Sequence, residues 1–219
     1  MRKNKISVSI LAANLTELKK EIHLLNELNI DSIHLDIMDG NFVPNISFGK
    51  DVVAGIKKHT KKPLKTHLMI NNPEQHISDF IKAGSDTIIF HYESTLNHYR
   101  LIEEIKQHNV KVGIALNPST PEEAVKYLVN KLDEVLIMTV EPGFCKQKFL
   151  NSQLEKLIAI VGYCKNNNSI DIGVDGGLNH QTTTLCYQSG ANLFAVGSYI
   201  FKEHDPKKKV NSLRQIFLP

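Results

Sequence analysis

Short runs of β-branched and apolar residues alternate with longer amphipathic stretches from one end of the chain to the other. The runs that predict strands cover residues 6–11, 32–37, 64–68, 87–91, 111–116, 134–138, 170–174 and 193–196. Between them, apolar residues recur at three- and four-residue steps, as Leu18, Ile22 and Leu25 do, which is the stripe of a helix that packs on a sheet. Helical patterns run over residues 15–28, 49–59, 73–82, 96–108, 122–130, 152–165, 181–189 and 207–217. This alternation predicts a parallel sheet with helical crossovers.

Eight strand–helix units are the number that closes a barrel, so we predict a single α/β domain, a (βα)8 TIM barrel, over residues 1–219. The alternative is an open doubly wound sheet. It is less favoured because no G-x-G-x-x-G follows the first strand, and because polar residues recur at several strand ends rather than at one crevice.

Helix boundary signals agree with these units. Thr120 stands where an N-cap is expected, with Pro121 at the first helical position. Gly84 and Gly190 stand where a helix ends before the next strand.

Composition excludes several classes of protein. The net charge of +3 and the pI near 8.6 are too modest to indicate a nucleic-acid partner. No apolar run approaches the ~18 residues that a membrane-spanning helix needs. The three cysteines, Cys145, Cys164 and Cys186, are odd in number and widely spaced, which predicts reduced thiols and a cytoplasmic protein.

Polar residues that suit a metal site lie at one face of the predicted strands. Residues two apart on a strand point the same way, so His34 and Asp36 both point into the barrel. His67 on the third strand and Asp175 at the end of the seventh have the same phase, and Ser9 comes from the first. Any one of them alone would be a satisfied core residue. Together, two imidazoles and two carboxylates at the C-terminal mouth predict one site for Zn²⁺, Fe²⁺, Mn²⁺ or Co²⁺.

Glycines at the ends of the last strands predict a bound phosphate. They occur in Glu141-Pro142-Gly143-Phe144, Gly176-Gly177 and Gly197-Ser198. Loops after the last barrel strands commonly bind phosphate through backbone N–H groups, and glycine lets the backbone approach the ligand. A phosphorylated substrate is therefore expected, although a Gly-Gly pair by itself would be only a turn.

Three methionines and a His–Glu pair have more than one interpretation. Met38, Met69 and Met138 share the inward phase, either as core filler or as an apolar lid that excludes water from the reacting carbons. His91 and Glu93, at the end of the fourth strand, could support the site from behind or line the mouth, and a structural use is the simpler interpretation.

Six segments together point to one family. They are residues 9–11, 34–45, 67–69, 138–144, 174–177 and 196–198, of which HLDIMDGNFVPN at 34–45 is the most specific. With these segments the chain resembles the ribulose-phosphate 3-epimerase family over nearly its whole length. The resemblance implies a TIM barrel of the ribulose-phosphate-binding type. It also implies an isomerase of the pentose phosphate pathway, with a phosphorylated ketose as substrate and a homo-oligomeric assembly.

The resemblance also implies roles for individual residues. One divalent metal ion would be held by His34, Asp36, His67 and Asp175, and Asp36 and Asp175 would be the acid/base pair. D-ribulose 5-phosphate and D-xylulose 5-phosphate would interconvert by abstraction of the C3 proton through a metal-bound cis-enediolate. Ser9 and His67 would lie near the substrate. The phosphate would be held by Gly143, Phe144, Cys145, Lys146, Gly176, Gly177, Gly197 and Ser198.

The sequence departs from the family at the loop after the sixth strand. The family usually has Gly-Phe-Gly-Gly-Gln there, whereas this chain has Cys145 and Lys146 in place of the last two glycines. Three alternatives remain open at this point. A related epimerase acts on D-allulose 6-phosphate, a phosphosugar aldolase or decarboxylase could use the same enediolate chemistry, and a noncatalytic phosphosugar-binding barrel would need no turnover.

Overall fold

Eight parallel strands close on themselves in a computed structural model, which describes residues 2–167, 169–202 and 205–218. In chain order they are β1 (Lys5–Ser9), β2 (Ser32–Met38), β3 (Leu64–Met69), β4 (Thr87–His91), β5 (Lys111–Leu116), β6 (Glu134–Met138), β7 (Asp171–Asp175) and β8 (Leu193–Val196). Each strand pairs with the next, and β1 pairs with β8 from Lys5 opposite Leu193 to Val8 opposite Val196. The barrel prediction is confirmed, and the open-sheet alternative is wrong.

Helices connect the strands on the outside of the barrel. They are α1 (Leu18–Glu27), α2 (Lys50–Lys57), α3 (Ile77–Lys82), α4 (His98–Gln107), α5 (Gln153–Tyr163), α6 (His180–Gln188), α7 (Ser198–Phe201) and α8 (Pro206–Gln215). Gly84 and Gly190 have φ angles of 98° and 100° just after α3 and α6, as expected of glycines that end helices. Throughout the described part of the chain, no helix has both the length and the apolar character that crossing a membrane requires.

The connection between β5 and β6 differs from the prediction. The helix expected over residues 122–130 is replaced by two 3-10 turns, Glu122–Val125 and Val129–Lys131. Thr120 does not cap them, because its hydroxyl donates a hydrogen bond to the carboxylate of Glu93. Pro121 is extended, with ψ of 150°. A tertiary hydrogen bond therefore overrides the local capping signal.

Several strand ends differ from the prediction by one or two residues, and two of these differences bear on the site. The first strand stops at Ser9, where a 3-10 turn begins whose Leu11 N–H donates to the Ser9 hydroxyl over 3.3 Å. The seventh strand begins and ends one residue later than predicted, so that its last residue is Asp175.

The two faces of each strand separate the core from the site. On β2 the outward side chains of Ile33, Leu35 and Ile37 are buried in the large apolar layer between barrel and helices. The alternate residues point into the barrel and include His34 and Asp36. Because a strand alternates strictly, one short segment supplies both the core and the site.

Candidate metal centre and active site

Four side chains from three strands meet at the C-terminal mouth of the barrel. The register places Asp36 of β2 opposite His67 of β3, and Asp175 stands at the end of β7. Nε2 of His34 lies 3.3 Å from Oδ1 of Asp36 and 3.4 Å from Oδ2 of Asp175. Nδ1 of His67 lies 3.4 Å and 3.5 Å from the same two oxygens. The two ring nitrogens are 3.2 Å apart.

These separations fit a metal ion. Ligand atoms arranged as a tetrahedron about 2.0–2.1 Å from a central ion are about 3.3–3.4 Å from one another. The five nitrogen–oxygen and nitrogen–nitrogen separations, 3.2–3.5 Å, match that edge length. Two imidazole nitrogens and two carboxylate oxygens are also ligand types that a divalent transition metal accepts. The four residues could therefore hold one such ion.

The two carboxylates at the mouth favour a positive charge among the four side chains. Burial lowers the pKa of His34, but Asp36 and Asp175 outweigh it and raise the pKa to about 10. Burial raises the pKa of both aspartates, and the two histidines outweigh it so that each pKa lies below its usual value. Two carboxylates this close are stable only with a proton on a neighbouring imidazole or with a cation between them.

Asp36 has a second partner in Ser9. The Ser9 hydroxyl donates to Oδ2 of Asp36 over 2.6 Å, while Oδ1 faces the histidines. Ser9 is the last residue of β1 and is paired with His34 on β2. The early end of β1 therefore places this hydroxyl at the metal centre.

The loop after β2 is held by side chains to which the sequence analysis assigned no role. Asp39 accepts hydrogen bonds from the backbone N–H groups of Asn41 and Phe42, and from that of Asn71 after β3. Ser47 donates to the backbone oxygen of Asp36 over 2.5 Å. The sequence Asp-Gly-Asn at 39–41 is a turn signal that could have indicated the first of these contacts.

A cavity opens above the metal ligands and brings together most of the predicted site residues. His34 and His67 are fully buried beneath it. Asp36 and Asp175 form part of its wall. The other predicted residues that line it are Ser9, Met38, Met69, Met138, Gly143, Phe144, Cys145, Lys146, Gly176, Gly177, Gly197 and Ser198.

The three methionines belong to two groups. Met38 and Met69 pack with Val43 from the loop after β2. Met138 packs with Ile89 and other residues of the barrel interior. All three methionines line the same cavity.

The glycines after β7 have conformations that other residues would not adopt without strain. Gly176 and Gly177 have φ angles of 116° and 63°. A Cβ on Gly176 would lie 2.4 Å from a methyl group of Val140, and one on Gly177 would lie 2.8 Å from the backbone nitrogen of Phe149. At the departure from the family pattern, Lys146 also adopts a positive φ, 63°.

His91 and Glu93, which the sequence allowed to be interpreted in more than one way, lie behind the four candidate metal ligands. Nε2 of His67 is 2.9 Å from Nε2 of His91, and Nδ1 of His91 is 3.3 Å from Oε2 of Glu93. Burial lowers the pKa of His91 to about 4. Burial raises the pKa of Glu93, but hydrogen bonds from His91 and Thr120 outweigh it and lower the pKa to about 2. The pair lies behind the candidate ligands and does not line the cavity.

The fold and this site define an α/β-barrel enzyme, and comparison with known proteins gives the family. A profile of the Ribulose-phosphate 3 epimerase family matches residues 5–201. The chain is 40% identical over 212 residues to ribulose-phosphate 3-epimerase of Bacillus subtilis (strain 168), covering 96% of this chain and 98% of that protein. It is 39% identical over 217 residues to the enzyme of the same name from Methanocaldococcus jannaschii, covering 98% and 91%. The chain belongs to the ribulose-phosphate 3-epimerase family and is an isomerase.

Solved structures share the fold at much lower identity. 3-Hexulose-6-phosphate synthase from Salmonella typhimurium superposes with a TM-score of 0.70 at 16% identity, covering 97% of each chain. KGPDC from Streptococcus mutans gives 0.71 at 12% identity, covering 98% of this chain and 97% of that one. These likenesses confirm the barrel.

Proposed function

We propose that this chain is a metal-dependent epimerase that interconverts D-ribulose 5-phosphate and D-xylulose 5-phosphate. The observation that carries the proposal is the convergence of two carboxylates, Asp36 and Asp175, and two imidazoles at the floor of one cavity. The names of the relatives from Bacillus subtilis and Methanocaldococcus jannaschii support a ribulose phosphate as the substrate.

One divalent ion per chain, Zn²⁺, Fe²⁺, Mn²⁺ or Co²⁺, would be held by His34, Asp36, His67 and Asp175. When bound, the ion supplies Lewis acidity to the ketose and makes the proton on C3 easier to remove. The separations of the four donor atoms support this assignment.

The two aspartates would move the proton. Asp36 lies on β2 and Asp175 on β7, and β1 and β8 stand between them in the barrel. The carboxylates therefore reach a bound sugar from two directions. One removes the C3 proton, and the electron pair of the C–H bond passes into an enediolate. The other gives a proton to the opposite face of C3, so the configuration inverts with no change of oxidation state.

Other cavity residues would bind and shield the substrate. Ser9 holds the second oxygen of Asp36 in place through its hydroxyl. The glycine-bearing turns at 143–146, 176–177 and 197–198 would present backbone N–H groups to the phosphate, with Lys146 adding positive charge. Met38, Met69 and Met138 would exclude water from the reacting carbons.

The test is hydrogen exchange in deuterated solvent. We expect metal-loaded protein to convert D-ribulose 5-phosphate to D-xylulose 5-phosphate, with one deuterium at C3, as followed by proton NMR. Chelation to a metal-free state should abolish turnover, and one of the four metals should restore it. Full activity of protein shown to be metal-free would contradict the metal dependence.

Parallel reactions separate the alternatives. Faster exchange with D-allulose 6-phosphate than with D-ribulose 5-phosphate would identify a hexulose phosphate as the substrate. A product with fewer carbons would indicate an aldolase or decarboxylase. No exchange with either sugar by the metal-loaded protein would leave a binding barrel as the better description.

We also propose a homo-oligomer that works in the cytoplasm. Leu96, Tyr99 and Tyr127 are large apolar side chains exposed on one side of the barrel, where Tyr99 donates a hydrogen bond to the backbone of Tyr127. Exposed apolar patches commonly mark association surfaces. A rice relative named as a cytoplasmic isoform, 40% identical over 215 residues, supports the location. Light scattering on the purified chain would measure its assembly.

A further inference from the structure

The outer nitrogen of His67 is connected to a distant loop through two further side chains. Nε2 of His67 meets Nε2 of His91, and Nδ1 of His91 meets Oε2 of Glu93. The other oxygen of Glu93, Oε1, accepts from the backbone N–H of Asn117, over 2.8 Å, and from the hydroxyl of Thr120. Both imidazoles are fully buried. Burial makes an unpaired ring nitrogen costly, so each must find its partner within this chain of contacts.

The position of each proton in the chain follows from these contacts. An ionised carboxylate only accepts hydrogen bonds, and Glu93 receives two at Oε1 from groups that can only donate in this arrangement. His91 therefore carries its proton on Nδ1 and donates it to Oε2. Its Nε2 is left with a lone pair and accepts from His67, whose proton must be on Nε2. In the neutral ring that a metal ligand requires, Nδ1 of His67 then carries no proton and faces Asp36 and Asp175.

We propose that Glu93 and His91 are positioning residues that select the tautomer of His67 in which the Nδ1 lone pair points at the metal centre. The inference rests on the metal centre proposed above. A metal-bound histidine generally donates its other N–H to a partner that holds the ring and raises its basicity. Here that partner is a second histidine, which is itself oriented by a carboxylate.

The other histidine ligand provides a contrast. Among the residues that the structure describes, Nδ1 of His34 has no hydrogen-bond partner, although it is buried. Side chains outside the site therefore select the tautomer of His67, and no such partner is present for His34 in the described part of the chain. The proposal also explains the position of Thr120 in the loop after β5. Its hydroxyl donates a hydrogen bond to Glu93 instead of capping a helix.

The test is Glu93→Gln, which keeps the size of the side chain and changes one oxygen to an NH₂ donor. The amide oxygen would face Asn117 and Thr120, so the NH₂ would face Nδ1 of His91. His91 would then have to accept a hydrogen bond at Nδ1 and carry its proton on Nε2, the atom that faces Nε2 of His67. His67 would have to place its own proton on Nδ1, the atom that binds the metal. We expect the affinity for Zn²⁺ to fall about 10–100-fold.

Glu123→Gln is the matched control, because Glu123 is exposed on the connection after β5 that also supplies Asn117 and Thr120 to Glu93, and the change removes the same charge. Its affinity for Zn²⁺, measured by competition with a chromophoric chelator, should stay within about twofold of the original protein. If Glu93→Gln binds Zn²⁺ as tightly as this control does, the proposal is overturned.

A spectroscopic measurement on the unaltered protein tests the proton positions independently of any variant. In Zn²⁺-loaded protein with ¹⁵N-labelled histidine, directly bonded protons are expected on Nε2 of His67 and Nδ1 of His91, with coupling between the two Nε2 atoms. A proton on Nε2 of His91 would overturn the assignment even if Glu93→Gln does not fold. Failure of the unaltered protein to bind any of the four metals would instead overturn the metal centre itself.

Discussion

Both ends of the barrel bury charged side chains, but they balance the charge in different ways. At the N-terminal end two inward acids are each paired with a lysine. Lys65 and Glu134 form an ion pair that is almost fully buried, and Lys5 lies 2.6 Å from Asp171. At the C-terminal mouth two aspartates face two histidines. The ring nitrogens of these histidines are 3.2 Å apart and, besides burial, a positive charge on His34 opposes the rise in the pKa of His67 that the aspartates cause.

The same strands therefore supply ion pairs that stabilise the fold at one end and groups that favour a proton or a metal ion at the other. β7 contributes Asp171 to the N-terminal end and Asp175 to the mouth. Lys5 neutralises Asp171, so no ion from outside the chain is needed there. Asp175 joins a cluster of electron-pair donors that favours a proton or a metal ion. Three principal substitutions, each with a control variant, test this contrast.

The largest effect is expected where the mouth loses a carboxylate. Asp175→Asn removes a metal ligand and a proton-transfer group together, so kcat for epimerisation should fall at least about 10³-fold. Asp36→Asn should behave in the same way. Asp171→Asn is the matched control on the same strand, and its kcat should stay within about twofold because Asp171 touches no substrate. Equal losses at Asp171 and Asp175 in steady-state kinetics would contradict the separation of the two ends.

The next effect concerns stability at the N-terminal end. Lys65→Met leaves Glu134 buried without its cation, and Oε1 of Glu134 already has no hydrogen-bond partner within the described chain. The free energy of unfolding should fall by about 3–5 kcal/mol, as measured by urea denaturation. The kcat of the folded fraction should not change.

Lys131→Met provides the comparison for that loss. Lys131 pairs with Glu103 over 2.7 Å, but both side chains are about half exposed. Its removal should lower the free energy of unfolding far less than the removal of Lys65 does, because water screens both charges. In the double variant Lys65→Met/Glu134→Leu most of the lost stability should return, because no buried charge remains unpaired. A double variant as unstable as Lys65→Met would show that the pair itself holds this end together.

The smallest effect is expected at the loop after β6. Lys146 has a φ of 63°, so Lys146→Gly should raise the free energy of unfolding by about 1 kcal/mol through relief of strain. KM should rise modestly and kcat should hardly change, because a contact with the phosphate is made equally in ground and transition states. Lys148→Gly, the control, replaces a lysine outside the left-handed region and should not stabilise the protein. A large fall in kcat for Lys146→Gly would place this lysine in the catalytic site.

The barrel and its inward-facing residues follow from patterns that are local in the chain. Strand alternation is a property of every extended segment, and it was enough to place His34 and Asp36 on the face opposite Ile33 and Leu35. Eight repeats of strand and helix then led to the closed barrel, whose strands β4, β5, β6 and β8 have the predicted bounds. Their parallel alignment brought the inward residues to one mouth.

Other features depend on contacts between segments far apart in sequence. Thr120 carries a local signal for a helix cap, yet its hydroxyl is taken by Glu93, a residue of another loop. Ser9 likewise contacts Asp36, and His91 contacts His67, each on the neighbouring strand. Local patterns determine which face of a strand a side chain occupies, because backbone geometry alone sets the alternation. Only the tertiary structure decides which atoms come within hydrogen-bond distance, because that depends on the register between strands and on loops that pack from elsewhere in the chain.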